Sequence, residues 1–332
     1  MVNLVQFPGL GLSFEVSRVA FSIGGFAIYW YGILIGTGML LAMLYAFRYA
    51  PRLGINVDRM IDVIFIGAVM AIICARAFYV LFAPFQYTSF WQVIDLRDGG
   101  IAIYGAVIGG FLFGGLACRW RKVPLLPMFD IASIGFLIGQ CIGRWGNFAN
   151  QEAFGTNTTA PWGMISAQTT AYLESVQATL AAQGITVDPA QPVHPTFLYE
   201  SIWCLIGFIA LALYLKHRKF DGEITLLYVF WYGLGRSWIE GLRTDSLYLT
   251  GSLRMSQLIA IVSVAAALVT LIVKHRRYRG CPELGWVTVP QPETAAEAPA
   301  APAADAPADE TQTAPESAGT GTNDEEDGHG AD

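Results

Sequence analysis

The sequence predicts an all-α integral membrane protein, a bundle of seven spanning helices with its N-terminus outside and its C-terminus inside. Three observations carry that expectation. The 332 residues are 54% hydrophobic and only 14% charged, with a mean hydropathy of +0.46. Apolar runs recur along most of the chain, and they have the length of roughly 20 residues that a helix needs to cross a hydrocarbon core about 30 Å thick. Lys and Arg gather at 48–59, 119–122, 216–219 and 274–279, segments that hold 13 of the 20 basic residues and alternate with the apolar runs. Short basic segments beside spans stay on the cytoplasmic side, which fixes the orientation.

In chain order, the first twenty residues lack a basic start, a compact apolar stretch and a small-residue cleavage site, so a removable signal peptide is not expected. Spans follow at about 27–47, 60–82, 101–118, 125–143, 196–215, 223–241 and 255–273. The third is short and rich in glycine, and the sixth carries charge. Tyr29, Trp30 and Tyr31 sit where the first span leaves the membrane, the usual place for aromatic anchors. The outer segment at about 156–195 is the largest connection, and within it 167–184 has helix-forming composition and ends in glycine. Such a segment either covers a site or simply connects two spans. Residues 1–280 thus form the membrane domain, and 281–332 read as a disordered cytoplasmic tail with 12 acids and no Lys or Arg. Residues 1–280 carry 20 bases and 14 acids, net +6, so the acidic balance of the whole chain belongs to the tail.

The five cysteines, Cys74, Cys118, Cys141, Cys204 and Cys281, offer neither a disulfide framework nor metal-ligand spacing, and they read as apolar fillers. Glycines repeat at fourfold spacing, at Gly135, Gly139 and Gly143, at Gly105 and Gly109, at Gly110 and Gly114, and at Gly32 and Gly36. That spacing lets helix backbones approach closely within a membrane.

Charges inside spans are expensive, about 2.5–3.5 kcal/mol for a central Arg or Asp, and so point to function. In the expected topology Arg76, Arg144, Glu200, Arg236, Glu240 and Arg243 rise toward the outer side, whereas Asp62 and Asp130 lie near the inner surface, where capping or interfacial roles suit them. Arg144 and Asn147 are three residues apart and share a helix face, with Gln151 joining them if the helix continues. Arg236, Glu240 and Arg243 share another, and for Arg236 and Glu240 a purely structural ion pair is an equal alternative. Guanidinium groups match phosphate geometry, and the nearest phosphates are those of anionic phospholipids. An anion transporter and a non-catalytic lipid-binding scaffold would also use such arginines. No internal repeat of the kind transporters show is visible, however, and the charges cluster near one face.

The stretch GRWGNFANQEAFG (143–155) closely resembles the signature of the bacterial prolipoprotein diacylglyceryl transferases, matching at Arg144, Gly146, Asn147, Phe148, Asn150, Glu152 and Gly155. WYGIL (30–34), HPTFLYE (194–200) and YGLGRSWIEGLR (232–243) add to the resemblance, which covers about 20–275. It implies transfer of the diacylglyceryl group of phosphatidylglycerol to the lipobox cysteine of a preprolipoprotein, giving a thioether and glycerol 1-phosphate. The implied setting is the bacterial cytoplasmic membrane, with the site toward the outer leaflet. No metal or organic cofactor and no nucleic acid is implied. By resemblance and topology, Arg144 and Arg236 hold the phosphate. Asn147, Asn150 and Glu152 position the headgroup, Glu240 and Arg243 orient Arg236, and Tyr31 becomes a substrate-binding candidate. The family often has a His-Gly-Gly stretch at the start of the third span, where this chain has Tyr104, Gly105 and Ala106. Tyr104 then either hydrogen-bonds the substrate or leaves the thiol proton to another group: Glu152, Glu240 or the lipid phosphate. Of the histidines only His194 is expected outside, where its HP context suits a helix-start turn as readily as a base.

Overall fold

The computed structural model describes residues 2–83, 87–95, 99–182, 184–244, 248–250 and 253–287. The long helices are α1 (Trp30–Tyr49), α2 (Val57–Leu81), α4 (Ile103–Arg121), α5 (Leu125–Asn150), α7 (Thr196–Tyr214), α8 (Glu223–Leu242) and α9 (Met255–Arg277). Two shorter ones, α3 (Phe90–Ile94) and α6 (Ala167–Ala182), lie in connections. Six of the long helices have the length and apolar composition to cross a membrane. The remaining one, α8, is as long but more polar, carrying Glu223, Arg236 and Glu240, and does not meet that description. Phe65, Ile72, Met39 and Leu40 are among many large apolar side chains left exposed on α1 and α2, a surface suited to lipid rather than water.

Short connectors between α1 and α2, α4 and α5, and α7 and α8 make each pair antiparallel. Two ends result: α1, α4, α7 and α9 start at the one that α2, α5 and α8 reach, here the site end, and the other is the basic end. Helix α5 is the centre of the bundle, packing on α1, α7 and α8, and its Ile131, Ile134 and Leu137 are fully buried.

The glycine pattern serves two crossings. A Cβ on Gly38 would lie 3.1 Å from the Cα of Gly139, and one on Gly143 would lie 3.1 Å from Ile35, so α1 and α5 meet almost backbone to backbone. Gly105 and Gly109 likewise seat α4 on α2, where a Cβ would strike Cys74. Gly32 and Gly36 differ from expectation: a Cβ on either meets nothing within 4 Å, so they serve no helix contact.

Short strands accompany the helices. β1 (Val2–Phe7) pairs antiparallel with β2 (Leu12–Ser17) and with β5 (Ile165–Ser166), while β3 (Val19–Ile23) and β4 (Phe26–Tyr29) form a hairpin leading straight into α1. Two further short strands, β6 (Tyr248–Thr250) and β7 (Leu253–Arg254), pair before α9. Val5, Phe7, Phe154, Met164, Leu173, Leu180 and Val193 make a second, smaller core that joins the N-terminal strands to α6. Within the segment expected at 167–184, Ala167–Ala182 is therefore a helix, opened by reciprocal bonds: the Ser166 N–H donates to the Thr169 hydroxyl at 2.9 Å and the Thr169 N–H to the Ser166 hydroxyl at 3.2 Å.

Buried carboxylates at the basic end act as caps. Asp130 on α5 accepts from the Gly222 N–H (2.8 Å), the Thr225 N–H (2.9 Å) and the Thr225 hydroxyl (2.9 Å), and so closes the first turn of α8. Asp62, by contrast, is half-exposed and pairs with Arg121 rather than capping a helix. Glu223 takes bonds from the Tyr214 hydroxyl (2.7 Å) and the Lys219 N–H (2.6 Å), with His275 Nε2 2.9 Å away. The tail expected from 281 includes residues 281–287, which are tied to this end. The Leu284 N–H donates to the Arg218 carbonyl, the Val287 N–H donates to the Arg52 carbonyl, and Arg52 lies over the Trp286 ring. The rest of the expected tail, 288–332, lies outside the described residues.

Candidate active site

At the site end, α5 stops one residue after Ala149. Gln151 adopts left-handed backbone (φ 53°), and the Glu152 N–H returns to the Asn147 carbonyl at 3.0 Å, a Schellman-type ending. Left-handed backbone in a residue with a Cβ costs about 1 kcal/mol, and Ala153 (φ 57°) repeats it two residues later. The helix therefore does not continue, and Gln151 leaves the face that Arg144 and Asn147 share. Its side-chain amide is buried and has no hydrogen-bond partner among the described residues. The reversal has a consequence for Glu152: its Oε1 accepts from both the Asn147 and the Asn150 side-chain amides, each at 3.1 Å.

Behind this turn lies an ion-pair ladder. Arg144 Nη2 sits 2.7 Å from Glu200 Oε1, and Arg236 Nη1 sits 3.2 Å from the same oxygen. Arg236 Nη2 also reaches Glu240 Oε2 at 2.5 Å, and the Ser256 hydroxyl donates to Glu240 Oε1 at 2.7 Å. Glu200 and Glu240 are each 3% exposed, so their charges depend on these partners. Arg144 Nη1 then donates to Asn147 Oδ1 at 3.5 Å, which links the ladder to Glu152. Arg144, Glu200, Arg236, Glu240, Asn147, Asn150 and Glu152 thus form one polar chain across α5, α7 and α8.

That chain ends at a cavity of about 760 Å³ whose lining includes Tyr29, Tyr31, Gly32, Asn150, Glu152 and Arg18. The motif glycine Gly146 lets Tyr31 in: a Cβ there would fall 2.6 Å from the Tyr31 ring. Gly155 is held where three segments cross, since a Cβ would sit 2.8 Å from both His194 Cβ and the Leu242 carbonyl oxygen. Its N–H donates to the His194 carbonyl, the Thr156 N–H to the Leu242 carbonyl, and the Thr196 hydroxyl to the Ala153 carbonyl.

Two further expected site residues lie at helix ends. Tyr104, in the first turn of α4, is exposed, and its side chain makes no hydrogen bond among the described residues. Arg243 bridges Gly155 through its backbone, and its N–H donates to the Glu240 carbonyl at 3.2 Å, so it braces the end of α8. Arg76 is a loop anchor, with its guanidinium donating to the carbonyls of Gln92, Val93, Gly99 and Gly100. His194 lies in the three-segment junction, its Nδ1 3.0 Å from the Tyr199 hydroxyl, and burial lowers its pKa. Glu200 was counted among the outer-side charges, but its role as the shared anchor of both arginines was not foreseen from sequence. Arg18 gives no signal in the sequence.

A family model described as prolipoprotein diacylglyceryl transferase matches residues 18–273. The chain is 43% identical over 283 residues to the phosphatidylglycerol–prolipoprotein diacylglyceryl transferase of Limosilactobacillus reuteri, covering 82% of this chain and 95% of that protein. It is 41% identical over 263 residues to the protein of that name from Clostridioides difficile, covering 79% and 97%. For the Bacillus licheniformis protein of the same name the identity is 40% over 266 residues, covering 80% and 94%.

Proposed function

The chain belongs to the prolipoprotein diacylglyceryl transferase family, and from that premise we propose that it moves the diacylglyceryl group of phosphatidylglycerol to the lipobox cysteine of preprolipoproteins. The observation that carries the reading is the continuous polar chain from Glu240 through Arg236, Glu200, Arg144 and Asn147 to Glu152 at the cavity. The thiol sulfur attacks the glycerol carbon bearing the phosphate, a thioether C–S bond forms, and the C–O bond to phosphate breaks. Its electron pair leaves with glycerol 1-phosphate. Negative charge grows on the departing phosphate, and Arg144 and Arg236, preorganised by Glu200 and Glu240, stabilise it. Asn147, Asn150 and Tyr31 position the headgroup, and Arg243 holds the end of α8 that carries Glu240.

A free thiol, with a pKa of about 8.5, is mostly protonated near neutrality and needs a base. Glu152 is our candidate. It lines the cavity, whereas both carboxylate oxygens of Glu240 are engaged, by Ser256 and by Arg236. Tyr104 is assigned a hydrogen bond to substrate entering along α4.

Six apolar helices and bacterial relatives make this a bacterial membrane protein. We assign α8 as a seventh crossing, its charges paired against α5, α7 and α9, with the N-terminus and the site on the outer side of the cytoplasmic membrane and the basic end inside. Accessibility of single cysteines introduced at each end to a membrane-impermeant reagent tests that orientation.

The activity test uses purified protein, phosphatidylglycerol and a lipobox peptide, with mass spectrometry of the peptide. Wild type is expected to add a diacylglyceryl mass to the cysteine and Arg144→Ala is not. An unmodified peptide from folded wild type in excess lipid overturns the reading.

A further inference from the structure

The arginine ladder is electrically closed. Arg144 and Arg236 face Glu200 and Glu240, and Glu152 at the cavity adds a further negative charge. A phosphodiester entering such a site meets no excess of positive charge from these residues. The cation lining the cavity is Arg18, which enters no ion pair among the described residues. Its main chain and its side chain are each tied to the site end by one hydrogen bond. Its carbonyl accepts from the Trp30 N–H at 3.0 Å, at the head of α1, and its Nη2 donates to the Asn150 carbonyl at 3.1 Å, at the end of α5. Only that one donor of the guanidinium is used, leaving the remaining N–H groups for a ligand. The first turn of α1, which lines the same cavity at Tyr31 and Gly32, has no side-chain cap, and a Cβ on Gly32 would meet open space. Its N–H groups add partial positive charge on the same side as Arg18.

We propose that Arg18 is a further substrate-binding residue, which captures the phosphate of the anionic phospholipid at the cavity before the headgroup reaches Arg144 and Arg236. The proposal rests on the transferase reading. Arg18 acts in binding and not in the bond-breaking step, so its loss weakens capture and leaves the chemical step alone. Because the side chain is exposed, the effect is modest.

The test compares full-length wild type, Arg18→Gln and Arg18→Lys. Gln retains a donor for the Asn150 carbonyl and removes the charge, whereas Lys retains the charge. Binding of a short-chain phosphatidylglycerol is read from the ligand-induced rise in Tm, with short-chain phosphatidylcholine as the zwitterionic comparison, and kcat and KM for transfer are measured in parallel. Arg18→Gln is expected to weaken phosphatidylglycerol binding and raise KM about threefold, with kcat unchanged and with Arg18→Lys close to wild type. Binding by Arg18→Gln equal to wild type overturns the proposal, as does a loss of kcat at constant KM, which would make Arg18 a structural brace. If inhibition by glycerol 1-phosphate weakens in Arg18→Gln while lipid binding does not, the residue serves the product phosphate and the proposal fails. Arg18-dependent lipid binding by a wild type that transfers nothing would sustain this inference and overturn the transferase reading instead.

Discussion

The two ends of α5 both bury carboxylate charge, and they do so in opposite ways. At the basic end Asp130 is satisfied by two backbone N–H groups and a hydroxyl from the start of α8, and the two N–H groups cannot turn to another partner without unwinding the helix. At the site end Glu200 is satisfied by two guanidinium groups from different helices, each with further donors free to engage a third party. A buried charge closed by backbone is architecture. A buried charge held by forked cationic side chains beside a cavity is a poised binding device, because a phosphate can share the guanidinium groups without breaking the fold.

The largest expected effect sharpens this contrast at the site end. Arg236→Ala should lower diacylglyceryl transfer about 100-fold or more while leaving the folded protein in the membrane, measured as turnover per folded molecule. The counterpart at the basic end is Asp130→Ala, which strands three donors. It should cost roughly 3 kcal/mol of stability, read as a lower Tm, with turnover per folded molecule unchanged. A loss of turnover there matching that of Arg236→Ala would erase the distinction between the two ends.

Two smaller effects probe the walls around the cavity. Gly146→Ala drives a Cβ into the Tyr31 ring and should cost about 1–3 kcal/mol through overpacking, with transfer falling about tenfold as Tyr31 is displaced. His194 supplies the smallest. Burial disfavours its charged form and lowers its pKa, so the folded protein takes up that proton less readily than the unfolded chain does. The stability it permits is complete above the unfolded value of about 6.5, and it is lost as pH falls from there through the folded pKa. His194→Gln should accordingly flatten the fall in Tm on acidification below about pH 6.5, a comparison made by thermal unfolding across pH.

Much of the architecture was legible because lipid allows few solutions. A long apolar run must be a helix, since unpaired backbone groups are prohibitive in hydrocarbon. The expected starts and ends accordingly fall within a few residues of α1, α2, α4, α7, α8 and α9. The exception is α5, which outruns its apolar segment and ends at Asn150 rather than about 143, because its last two turns face protein and polar side chains rather than lipid. The N-terminal strands were missed although their cue was present. LSFEVS (12–17) alternates apolar and polar residues with the period of a strand.

At the site, the motif residues could be named from sequence, but their wiring could not. That Asn147 and Asn150 converge on one oxygen of Glu152 depends on the left-handed turn at Gln151, a position where glycine is the usual sign of such a turn. That Arg144 and Arg236 share Glu200 depends on how α5, α7 and α8 pack, and one sequence carries no record of which helices face each other. Arg18 lies near no motif and enters the site only because β3 and β4 deliver the chain to the head of α1.

The most direct test of the contrast is the turnover of Glu200→Gln, which keeps an acceptor of nearly the same shape and removes the charge that holds the two arginines together. Measured per folded molecule with phosphatidylglycerol and a lipobox peptide, transfer is expected to fall at least about 100-fold while the protein remains folded and membrane-inserted. Transfer at the wild-type rate by folded Glu200→Gln would show that the ladder is architecture like Asp130, and would contradict the account.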